Sequence, residues 1–110
     1  MRYFITEHFK RQLKLILKKH HLSLDDLIKD LERFDERQAV SLGAGAYKIR
    51  LRLRDLPKGK SSSFRLIVLY VKQEELIAPL TIYAKSDRDT IDKKEIITHA
   101  RAVLAELEHR

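Results

Sequence analysis

From Tyr47 to Arg54 the side chains alternate without exception between an apolar or aromatic group (Tyr47, Ile49, Leu51, Leu53) and a cation (Lys48, Arg50, Arg52, Arg54). A period of two is that of a half-buried β-strand, so one face enters a core and the other presents a row of positive charge. Lys58 and Lys60 follow in a turn containing Pro57 and Gly59, and Arg65 opens the next apolar run. A strip of this density calls for a polyanion, and nucleic acid is the polyanion that basic patches attract at long range. The plainer alternative is the solvated face of a sheet.

The charge elsewhere supports a localised partner. Residues 1–20 carry six Lys/Arg against one acid, a net of +5, and residues 42–65 carry seven against one, a net of +6. Residues 21–41 are net −3 and residues 66–110 net −1, so the overall +7 resides in two blocks.

The elements that must position the strip are readable in order. Tyr3, Phe4 and Ile5 make a short edge strand, and Thr6 can cap a helix whose Phe9, Leu13, Ile16, Leu17 and His20 recur at helical spacing. Lys10, Arg11, Lys14, Lys18 and Lys19 occupy its other surface. Ser23 and Asp26 have capping-box spacing, Leu22 and Leu27 are placed as a hydrophobic staple, and Leu24, Leu27, Ile28, Leu31 and Phe34 mark the buried face of a second helix. His20 and His21 fall in the turn of this helical hairpin. Residues 37–46, with Gly43 and Gly45, read as a loop into the basic strand. Phe64 to Val71 is a central strand, Gln73 to Glu75 a turn, and Leu76 to Lys85 a third strand, with Pro79 implying an edge or strand start. Asp92 and Glu95 start a last helix with Ile96, Ala100, Val103, Leu104 and Leu107 on its buried side. Consecutive hairpins imply an antiparallel sheet with helices packed on it, an α+β two-layer domain of order β-α-α-β-β-β-α.

The 110 residues suit a single domain, 1–110. Hydrophobic residues make up 44% and charged residues 35%, which is within reach of a folded chain. The absence of cysteine excludes disulfides and thiolate metal sites. No run approaches the ~18 apolar residues of a membrane span, and Met1 to Lys10 lacks the apolar core of a signal peptide, so a cytoplasmic protein without membrane association is expected. The five histidines, His8, His20, His21, His99 and His109, have no evident Ser or Asp partner and read as structural; Tyr70 and Tyr83 read as core, whereas Tyr47 or Phe64 could stack on a base.

Four pieces in order, Gly43-Ala-Gly-Ala-Tyr-Lys-Ile-Arg-Leu51, Lys58-Gly-Lys-Ser61, Phe64-Arg-Leu-Ile-Val-Leu-Tyr70 and Ile82-Tyr-Ala-Lys-Ser-Asp87, followed by a closing helix, resemble the RelE/ParE superfamily of bacterial toxins, nearest its RelE and HigB branches. The resemblance implies a RelE-like fold and the toxin of a type II toxin–antitoxin pair. Such a toxin is neutralised by a cognate antitoxin, in a toxin–antitoxin hetero-oligomer, and cleaves mRNA on the ribosome without a metal or other cofactor. The implied reaction is attack of a ribose 2′-hydroxyl on the adjacent phosphate, leaving a cyclic phosphate and a 5′-hydroxyl. Packed cations suit it, because like charges disfavour protonated lysine while guanidiniums stay charged and stabilise the phosphorane.

Carried over by position, the resemblance makes Lys48 the base and Arg50 its basic neighbour, a weaker base because a guanidinium hardly deprotonates and RelE has lysine there. Arg65 stabilises the transition state, and Lys85 contacts phosphate or acts as the acid. Arg52, Arg54, Lys58, Lys60 and Arg88 contact RNA or ribosome. The chain departs from RelE at Ser86, where an arginine follows the lysine, and at Ile91, where RelE has a tyrosine; it departs from HigB-like chains at Ser62 and Ser63, where glycines are usual. Two alternatives share the resemblance: a ParE-like, non-enzymatic toxin that poisons DNA gyrase, and an inactive RNA-binding relative. Arg65 could also be a structural partner of an acid such as Asp55.

Overall fold

The computed structural model describes residues 1–51 and 64–110. Its elements are β1 (Arg2–Tyr3), α1 (Glu7–Ile16), α2 (Leu24–Glu32), β2 (Val40–Gly43), β3 (Ala46–Arg50), β4 (Phe64–Val71), β5 (Leu76–Ala84) and α3 (Lys93–Glu108). The expected α+β class stands, and the expected elements occur in order with one strand added. The sheet has five strands in the order β1-β5-β4-β3-β2, and it is mixed, because β1 runs parallel to β5 through Arg2/Leu76 and Tyr3/Ile77.

The extra strand is β2, placed where the sequence reads as a loop. Only Leu42 of its four side chains is even partly buried, so Val-Ser-Leu-Gly carries almost no alternation to detect. The turn that reverses it into β3 holds three successive positive φ angles, 89° at Gly43, 53° at Ala44 and 82° at Gly45. Glycine adopts these freely, and at Gly45 a Cβ would also stand 3.3 Å from the Tyr70 carbonyl. That close approach lets Tyr70 N donate to Gly45 O at 2.9 Å, which sets the β3–β4 register.

Side chains alternate along β4 between two cores. Phe64, Leu66 and Val68 pack with Phe9, Leu13, Leu27 and Leu31 of α1 and α2, whereas Ile67 and Leu69 pack with Ile96, Val103 and Leu107 of α3. The helices therefore divide between the two faces of the sheet instead of forming one layer. Every residue of β5 is buried. Pro79 is tolerated inside this strand because β1 pairs only as far as Ile77 and because the β4–β5 register slips there, Ile67 facing Thr81 and Val68 facing Pro79.

Three caps illustrate how local signals fared. Thr6 accepts from Phe9 N at 3.0 Å and Asp92 from Glu95 N at 2.9 Å, as their spacing predicts. Ser23 caps α2 by position but its side chain makes no cap bond. Leu24 and Leu104, expected to be buried, are exposed, and His99 takes a buried position on α3.

Candidate active site

Tyr47 and Ile49 of β3, and Leu51 just after it, turn towards the α1–α2 core. Lys48 and Arg50 therefore project from the opposite face, as the alternation requires. That face is covered by α3 only in part, over Ala46, Ile67 and Leu69, and its β3–β4 end is left to cations. Lys48 faces Ile67 and Arg50 faces Arg65 across the β3–β4 pair. Leu51 N donates to Phe64 O at 3.3 Å, which together with the Tyr70–Gly45 bond puts the odd-numbered β3 residues at hydrogen-bonded positions. Arg50 and Arg65 thus form a non-hydrogen-bonded pair, the closer kind, with Cα atoms about 4.5 Å apart. Like charges directly opposite one another destabilise a sheet. Arg65 Nη1 also donates to the Phe64 carbonyl at 3.2 Å.

Lys48, Arg50 and Arg65 line a common concavity of about 360 Å³, together with Gln38 and Val40. Val40 is the cross-strand partner of Lys48, so β2 supplies a wall of the site. The row through Arg50 and Arg65 continues to Tyr83 on β5. Burial raises the Tyr83 phenol above its ordinary range, against the opposing pull of Arg65 and Arg88. Its hydroxyl is buried and has no hydrogen-bond partner among the described residues.

The remaining predicted residues fall elsewhere. Lys85 is exposed, one residue past the end of β5, and does not line the concavity. Arg88 is held within the chain: Nη1 and Nη2 each donate to Glu95 at 2.8 Å, Nε donates to the Thr90 carbonyl at 2.9 Å, and the guanidinium lies 5.6 Å from the Tyr83 ring centre. The bidentate bond raises Arg88 and lowers Glu95 from their ordinary ranges, against burial in each case. Arg52, Arg54, Lys58 and Lys60 lie outside the described residues, as do Asp55, Ser62 and Ser63. Ser86 is exposed, and Ile91 is buried in the α3 core.

The histidines have partners that the sequence concealed. His8 Nε2 and His99 Nδ1 are 2.7 Å apart, His99 Nε2 is 3.6 Å from Glu95, and His20 Nε2 is 3.3 Å from Asp87. Among the described residues no group of three His, Cys, Asp or Glu side chains is placed to hold a metal ion.

The fold is thus a small α+β domain with Lys48, Arg50 and Arg65 gathered at one sheet end. A family model, the RelE toxin of the RelE/RelB toxin–antitoxin system, matches residues 1–108, and the chain belongs to that family. It is accordingly a toxin of a toxin–antitoxin system, and the family implies an antitoxin partner. No curated protein matches the chain. No helix among the described residues is long and apolar enough to cross a membrane.

Proposed function

We propose that the chain is a cytoplasmic, ribosome-dependent mRNA endonuclease that works by 2′-hydroxyl attack. The observation that carries this reading is the Arg50/Arg65 cross-strand pair beside Lys48 in one concavity. The attacking 2′ oxygen forms a bond to phosphorus and gives its proton to Lys48. The bond from phosphorus to the 5′ oxygen breaks, and that oxygen takes up a proton as it leaves. Arg50 and Arg65 hold fixed positive charge where the phosphorane gathers negative charge, as preorganised donors do at other oxyanions. Lys85, beyond the end of the row, serves as phosphate contact or proton donor. Arg52, Arg54, Lys58 and Lys60 extend the surface that holds RNA or ribosome, and Arg88 contributes to it from its place against Glu95.

The chemistry is tested on ribosomes programmed with a short message. An all-ribose A-site codon is expected to be cut to a cyclic phosphate and a 5′-hydroxyl, and a 2′-O-methyl codon to stay intact. Lys48→Ala should slow cutting about 10²- to 10⁴-fold, the usual worth of a general base. Cleavage of the methylated codon would sink the mechanism.

A further inference from the structure

Phosphate contacts position a nucleic acid but carry no base information, and three of the five described residues around the concavity are cations, which can donate to a base edge but accept nothing from it. Among the five, Gln38 alone brings both a hydrogen-bond donor and an acceptor in its side chain. Its amide makes no hydrogen bond to any described residue, although the chain around it is firmly held. Gln38 N and Ala39 N donate to the Asp35 carbonyl at 3.0 and 3.2 Å. The Asp35 carboxylate accepts from Arg37 N at 2.9 Å and from the Arg37 guanidinium at 3.1 and 3.2 Å, which holds its pKa below the usual range. Glu36 accepts from the Tyr47 hydroxyl at 3.2 Å and stands 3.4 Å from Lys72 Nζ. An exposed turn is thus anchored to β3 and to the turn after β4, with one amide left over at the rim of the cationic site. Beside it Val40, 56% exposed on the site's edge strand, offers an apolar surface. Unstacked bases of single-stranded RNA are recognised by this combination, an apolar or stacking surface and hydrogen bonds to the base edge.

We propose that Gln38, with Val40 as its apolar wall, reads the identity of a base next to the scissile phosphate. The inference rests on the endonuclease reading for its substrate, and its test is made independent of cleavage. Hexanucleotide RNAs with 2′-O-methyl riboses, differing at one base, are titrated against the intact chain and against Gln38→Leu and Gln38→Glu. The wild-type chain is expected to favour one base at one position by roughly tenfold, within the range that a good amide–base pair provides. Gln38→Leu should reduce that preference to about twofold while leaving the salt dependence of binding unchanged, because no charge is removed. Gln38→Glu should move the preference towards bases that present an amino group. A wild-type chain without base preference, or a Gln38→Leu chain that keeps it, would overturn the assignment. Base-selective binding combined with failure to cut all-ribose message on ribosomes would leave Gln38 in its role and remove the endonuclease reading instead.

Discussion

At the scale of single residues, the site is marked by like charges set opposite one another. Arg50 faces Arg65 at a close cross-strand position, so Arg50→Ala should raise stability by a few tenths to about 1 kcal/mol. The same substitution should reduce RNA cleavage. Urea denaturation and a cleavage assay on one preparation check both; a clear fall in stability would make Arg50 a structural residue. The alternation of Tyr47 to Leu51 made the direction of Lys48 and Arg50 legible, because a period of two is a local property. Arg65 opposite Tyr83 and His8 beside His99 come from distant segments, and no local pattern announces them. The histidine pair has a consequence of its own. Burial, then His99 and Arg11, lower the pKa of His8, and Glu106 opposes them. The unfolded chain therefore takes up this proton first as the pH falls. The contribution of neutral His8 to stability is complete above about pH 6.5 and is lost progressively below it, towards the lowered folded value. Melting temperatures should decline on acidification through this window, and His8→Gln should flatten the decline.

Among the elements, α3 was the most legible and β2 the least. The Asp92 cap and the buried Ile96, Val103 and Leu107 follow from spacing alone, whereas β2 exists because β3 pairs with it, a fact its own four residues hardly encode. The two helix starts separate position from energy. Asp92→Ala should cost about 1 kcal/mol, since it removes a formed bond to Glu95 N. Ser23→Ala should cost distinctly less, because the Ser23 side chain bonds nothing at its cap. A comparison of the two variants by chemical denaturation decides the point. The start of α1 draws on a third device that sequence reading could not reach: both oxygens of Glu106, on α3, accept from Glu7 N and His8 N at 2.7 and 2.9 Å. Burial works against this carboxylate, but the bonds from His8 N and Glu7 N, and then the charge of Arg11, keep its pKa low. Glu95 is lowered as well, by Arg88 against burial. Both contributions are present above about pH 4.5 and are lost as the pH falls below it, so a second, steeper acid loss should follow the histidine step.

Across the described residues, α1 and α2 close one side of the sheet, α3 closes part of the other, and the β2–β3–β4 end carries Lys48, Arg50 and Arg65 around one concavity. The family and the fold class were legible because four short pieces kept their order along the chain. The split of the helices between two faces was not, since patterning shows that a helix has a buried side without showing which face of a sheet receives it. The most direct measurement is a map of new mRNA 5′ ends in bacteria after brief induction of this chain, beside an Arg65→Ala control shown by its melting temperature to be folded. Cuts confined to translated regions, present with the wild-type chain and absent in the control, are the predicted result. Growth arrest with mRNA left intact, or cuts that persist in the control, would contradict it.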